Sequence, residues 1–196
     1  MTAGRGTARQ FKGVRPVNGS DSVVARSPYT NASADISPDG VYRYSLSRRL
    51  SRGDRAVLFV GLNPSTADAA TDDPTIRRCV GFARSWGFDW LLMGNVYALR
   101  STAPKGLMLV EDPVGPKNEQ ALKGLTRRAE LVVAAWGGHR LCGSAERLAA
   151  WILSLEHTRC LGENRNGSPK HPLYLRRETG LRKPGSASCQ PPEQGR

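Results

Sequence analysis

Acidic residues are in short supply in this sequence. The 196-residue chain carries 17 Asp and Glu against 29 Lys and Arg, a net charge of +12 with a pI near 10.2. Such an excess favours a polyanionic partner, nucleic acid ahead of an anionic membrane. Long apolar runs are missing too. No stretch approaches the roughly 18 residues that cross a bilayer, and the basic start, MTAGRGTARQFKGVRPVNGS, lacks the apolar core of a secretory signal. No membrane partner is expected. Cysteine is sparse: Cys79, Cys142, Cys160 and Cys189 form no CxxC pair, which argues against a zinc or iron–sulfur site. Without an export signal, free thiols in the reducing cytoplasm are the expectation. The Asn-x-Ser triplets at Asn18, Asn31 and Asn166 then have no bearing on glycosylation. Also absent are a GxxxxGK phosphate loop, GxGxxG, HExxH and GxSxG. Ser65 and Cys142 have no evident base in sequence. Neither a cofactor nor a metal is expected.

What is present falls into three parts. Residues 1–37 are rich in Gly, Ser, Arg, Thr and Ala without any period, and read as a disordered basic segment. Residues 179–196 read as a disordered tail for the same reason. Residues 38–178 form the domain. Hydrophobic content is 39%, low for a globular chain, as a compact domain with polar extensions would give. The domain itself holds 21 Lys and Arg against 14 Asp and Glu, so +7 of the charge stays with it.

Within the domain, strand and helix signals alternate. GVYRYSLSRRL places apolar or aromatic residues at alternate positions, Val41 and Arg43 excepted, and suggests an edge strand or hairpin. RAVLFVGL, FDWLLMGN and ELVVAAWGG are short apolar runs of the kind buried parallel strands show; HTRCLG is a shorter fourth. Asp72-Asp73-Pro74 resembles a helix start, followed by Ile76, Cys79, Val80, Ala83 and Trp86 at helical spacing and by Gly87 as a stop. NEQALKGLTRRA is a second helix, with Ala121, Leu122, Leu125 and Ala129 on one face. Ser144 is positioned to cap a third, whose apolar face holds Leu148, Ala149, Ile152 and Leu155. This order predicts a three-layer α/β/α sandwich around a mainly parallel four-stranded sheet.

Ligands of such folds bind at the carboxyl ends of the strands. The segments that follow the strands are GLNPSTAD, GNVYALRS, WGGHR and, after a further loop, GSPKHPLYL. Each brings a hydrogen-bonding side chain to that edge: Asn63, Asn95, His139 and His171. Each also has an ordinary reading. Asn63-Pro64-Ser65 is turn chemistry, Asn95 could close the sheet, and His171-Pro172 could be a packed histidine before a rigid turn. Lys170, Arg176 and Arg177 could be a solvated face. A metal reading of Asp68, Asp72 and Asp73 competes with helix capping by the latter two and loop-holding by Asp68.

Read as an ordered set, Gly61-Leu62-Asn63-Pro64-Ser65, Met93-Gly94-Asn95-Val96-Tyr97-Ala98-Leu99-Arg100, VVAAWGG and His171-Pro172-Leu173-Tyr174-Leu175 resemble the motifs of the uracil-DNA glycosylase superfamily over residues 56–177. That superfamily shows GMNPG or GINPG, TNVVKCRP, and HPS at these places. The phrases LNPSTADA, DDPTIRRC, AAWG and HPLYL resemble more closely the bacterial and phage family called domain of unknown function 1643, over nearly the whole domain. Two departures from the glycosylases stand out: Ser65 replaces a glycine and Leu173 replaces the HPS serine.

The glycosylase resemblance implies a base-processing protein that hydrolyses an N-glycosidic bond, with the base turned out of the stack into a pocket. In that scheme Asn63 positions a water and His171 donates a hydrogen bond to the departing base. Asn95 reads the base edge. Gly61, Leu62, Pro64, Ser65 and Asp68 shape the pocket, and Tyr97 or Tyr174 supplies a stacking face. Arg100, Lys170, Arg176 and Arg177 hold the nucleic-acid backbone, DNA ahead of RNA. Two alternatives stand beside it: a non-catalytic module for a nucleotide or modified base, and an enzyme acting on free nucleotides.

Overall fold

The computed structural model describes residues 29–185. The expectations for residues 1–28 and 186–196, with Cys189, lie outside them.

The sheet has six strands in the order β1-β2-β4-β3-β5-β6. These are β1 (Ala32–Ile36), β2 (Arg43–Arg49), β3 (Ala56–Gly61), β4 (Trp90–Asn95), β5 (Leu131–Ala134) and β6 (Thr158–Cys160). The four expected strands are β3 to β6, and all run parallel. The expectation of a four-stranded sheet is corrected by two antiparallel additions on the β4 side. GVYRYSLSRRL supplies β2, which is internal rather than an edge. It makes a hairpin with β1, drawn from the segment read as disordered. β1 is short and none of its residues is fully buried; the alternation of Ala32, Ala34 and Ile36 with Ser33 and Asp35 spans only five residues and includes no large apolar run.

Every residue of β3 is buried. The reason is its central place: β4 pairs on one side (Gly61 opposite Asn95) and β5 on the other (Val60 opposite Ala134). Alternate side chains feed two cores. Val57 and Phe59 pack with Leu91, Met93 and Val133 against α1 (Pro74–Ser85). Leu58 and Val60 pack with Leu92, Val132 and Ala134 against α2 (Asn118–Arg128) and α3 (Ser144–Ser154). Helices therefore cover both faces of a mixed α/β sheet. Among the described residues, no helix is long and apolar enough to cross a membrane.

The helix ends follow local chemistry, with one exception. Asp73 caps α1: its carboxylate accepts from Ile76 N–H at 2.8 Å, with Pro74 in the first turn. Gly87 leaves that helix at φ +74°, a backbone state open to glycine. Ser144 is not a cap. It is the first residue of α3, behind Gly143, and its Oγ accepts from Arg147 Nη2 at 2.9 Å. The buried Asn118 opens α2 and donates to the carbonyls of Asn95 (2.9 Å) and Val96 (3.2 Å), fixing the chain where it leaves β4.

Candidate functional site

Because β3 to β6 are parallel, their last residues share one edge. The chain leaves β3 toward β4 over one face, whereas β5 continues to β6 over the other. That reversal opens a crevice between the ends of β3 and β5. A cavity of about 580 Å³ lies there. Its walls are the β3 turn (Gly61, Leu62, Asn63, Ser65), Asn95 at the end of β4, Ala135 to His139 after β5, and Lys170 to Pro172 with Tyr174 and Leu175.

The structure thus brings Gly61, Leu62, Asn63, Ser65, Asn95, His139, Lys170, His171 and Tyr174 to one space. The other sequence candidates lie elsewhere. Pro64 turns the loop and its carbonyl accepts from Ser101 N–H at 2.9 Å. Asp68 accepts from the N–H groups of Ala70 and Thr71, both at 2.8 Å, and these bonds hold its pKa below the usual carboxylate range. Tyr97 is buried in the core, its hydroxyl accepting from Cys142 N–H at 3.3 Å. Arg100 donates to Gly40 O at 3.1 Å. Arg176 is exposed and lines neither this cavity nor the groove described below.

The polar side chains in the cavity are unequally committed. Asn63 Nδ2 donates to Ser101 O at 2.7 Å and to Pro64 O at 3.0 Å, which ties the β3 turn to the segment after β4. Its Oδ1 is left as the acceptor. Asn95 is 2% exposed, and its Nδ2 is buried with no acceptor among the described residues. His171 accepts from Leu173 N–H through Nδ1 at 3.3 Å. That bond assigns the imidazole proton to Nε2, so the ring is a donor there. Burial pushes the His171 pKa down and His139 adds to this, while Asp73 pulls the other way; neutral imidazole is the favoured form. Its ring tilts against Tyr174, centroids 6.2 Å apart, and Tyr174 stands exposed at the rim.

The three aspartates of the first loop do separate jobs. Asp73 caps α1. Asp72 does not cap: it pairs with the buried Arg48, Oδ1 to Nε at 2.9 Å, and accepts from Tyr29 Oη at 2.5 Å. Asp68 closes its own turn. Among the described residues, no group of three or more His, Cys, Asp or Glu is arranged to hold a metal ion.

Sequence reasoning missed several lining residues, among them Arg43, Thr75 and Asn164, and gave Asp73 no place in the pocket. Arg43 had a signal, since it breaks the alternation of β2. A second groove, about 260 Å³, runs beside α1 and is lined by Arg77, Arg78, Arg84 and Arg177 with Val80, Gly81 and Phe82.

A family model described as "Protein of unknown function (DUF1643)" matches residues 43–173. No curated protein and no solved structure matches the chain.

Proposed function

The chain belongs to the DUF1643 family, and from that premise we propose that it processes a base of a nucleic acid in the cytoplasm, as a uracil-DNA-glycosylase-like hydrolase of an N-glycosidic bond. The observation that carries the reading is the meeting of Asn63, Asn95 and His171, from three distant chain segments, in one cavity of about 580 Å³. That volume is of the size small-molecule sites have. The helices on both sheet faces support a glycosylase-like layering.

In this reading the base enters the cavity and Asn95 reads its edge. Asn63 Oδ1 accepts from the attacking water; the water oxygen bonds to the sugar carbon as the bond to the base breaks, and the proton the water gives up ends on the departing base. The bonding pair leaves with the base, and His171 Nε2–H donates to the charge that develops. A preorganised donor of this kind contributes about 3 kcal/mol to the transition state. The backbone lies along Lys170 at the cavity and the arginine groove beside α1, held by contacts sensitive to salt.

One observation favours a non-catalytic base-binding module instead: both donors of the Asn63 amide are committed to loop carbonyls, so the residue already has a structural task. The nucleotide-enzyme reading would be favoured by Asp68, Asp72 and Asp73 on a metal, and these side chains have other partners.

Base release from single- and double-stranded oligonucleotides carrying uracil, hypoxanthine or modified pyrimidines is the test. Release is expected to fall about 100-fold or more in His171→Ala and to fall in Asn63→Ala. Binding without release by the wild-type protein would select the module.

A further inference from the structure

Strand β2 buries two arginines, and their surroundings differ. Arg48 is complete. Its Nε donates to Asp72 Oδ1 at 2.9 Å, its other donors reach the carbonyls of Ser47, Asp68 and Thr71, and its guanidinium lies 5.4 Å from the Tyr29 ring centroid. Arg43 is 2% exposed and incomplete. Its Nη1 donates to Ala67 O at 2.8 Å, but its Nε–H is buried without an acceptor, and it forms no ion pair among the described residues. Arg43 lines the cavity, as does Asn95 with its own buried, unmatched Nδ2. Both residues line one space, and each carries a buried donor with no acceptor among the described residues, one of them charged. Such groups are destabilising until something accepts from them.

The rest of the lining narrows the ligand. Leu62, Ile76 and Met93 give apolar walls that suit a heterocyclic ring better than a phosphate. The start of α1 would attract a phosphate through its free N–H groups, but the Asp73 carboxylate already accepts there and also lines the cavity.

We infer that Arg43 contacts the ligand, donating to an oxo oxygen or a deprotonated ring nitrogen of a heterocyclic base, and that it selects acidic, oxo-edged bases over amino-edged ones. This rests on the base-processing reading above. When the N-glycosidic bond breaks, its electron pair stays on the base, and a fixed cation at that base opposes the rise in energy. Burial lowers the Arg43 pKa to about 10, so the guanidinium remains charged at neutral pH. Among the charges around it, Asp73 and Asp68 favour the cation and Arg100 and Arg48 oppose it.

Calorimetric binding of free bases to the full-length protein tests this, with uracil and its more acidic analogue 5-fluorouracil, cytosine, and inorganic phosphate as probes. The wild-type protein is expected to bind 5-fluorouracil tighter than uracil, and uracil about tenfold or more tighter than cytosine. Arg43→Gln is expected to lose about tenfold in uracil affinity and to flatten the fluorine effect; Arg43→Lys keeps part of it. Thermal melts show whether each variant folds. Equal wild-type affinity for uracil and 5-fluorouracil, or unchanged affinity in a folded Arg43→Gln, overturns the inference and leaves base processing standing if oligonucleotide release persists. Binding of phosphate and of no base overturns both. If Arg43→Gln does not fold, the wild-type series decides.

Discussion

Gly61 ends β3 directly beside Asn95. A Cβ there would lie 2.8 Å from Asn95 Oδ1 and 3.3 Å from Met93 Cε, so the missing side chain is what lets the amide reach the cavity. Gly61→Ala is expected to displace Asn95 and to destabilise the fold by about 1–3 kcal/mol, read as a lower urea midpoint at unchanged slope. His171 makes a pH prediction. Its folded pKa lies below its ordinary value because burial disfavours the imidazolium. Between those two values the unfolded chain binds the proton more tightly. The contribution to stability is therefore full above the ordinary histidine pKa and is lost as pH falls through the folded one. Urea midpoints at pH 7.5 and pH 5 should show this fall, and His171→Gln should remove its share of it.

At the scale of elements, the loop between β3 and α1 is fastened by β2. Arg48 reaches Asp72, Asp68 and Thr71, and Arg43 reaches Ala67. The loop that forms one wall of the cavity is thus carried by a strand two positions away in the sheet. Arg48→Met leaves Asp72, whose side chain is 13% exposed, without its cation. Removing one partner of so buried a pair is expected to cost about 3–5 kcal/mol. Asp73→Ala, which removes the α1 cap and a charge that favours the buried Arg43 cation, should cost about 1–2 kcal/mol. Chemical denaturation of the two variants side by side checks the ranking. It follows that the polar run after β3 has two sources: part is cavity wall, and part is anchoring for buried arginines.

For the molecule as a whole, the question is where the net charge of +12 meets a polyanion. The arginine groove adjoins the cavity through α1, since Thr75 and Ile76 line one and Arg77 and Arg78 the other. Fluorescence anisotropy with a single-stranded oligonucleotide should give a linear fall of log affinity with log salt concentration. Loss of Arg84 and Arg177 together is expected to reduce that slope by about 1.4. Arg100→Ala should leave the slope unchanged, because that side chain is engaged with Gly40 O and lines neither space.

Strands β3 to β6, helices α1 to α3, the positions of Asn63 and Asn95 at strand ends and that of His171 before Pro172 were all legible in the sequence. Each rests on a local signal: a period of hydrophobicity, a cap, or a turn at a strand end. The tertiary structure decided what depends on pairing between distant segments. It put β1 beside β2, buried Tyr97 in the core, turned Arg100 toward Gly40 and set Arg43 at the cavity. Arg43 shows the reason. Its break in the β2 alternation was visible along the chain, but only the register of β2 against β4, with Arg43 N–H bonded to Ala98 O at 2.9 Å, brings that strand's start to the edge where Gly61 and Asn95 end. A local pattern records whether a side chain is buried; which space a buried charge borders is set by the strands around it.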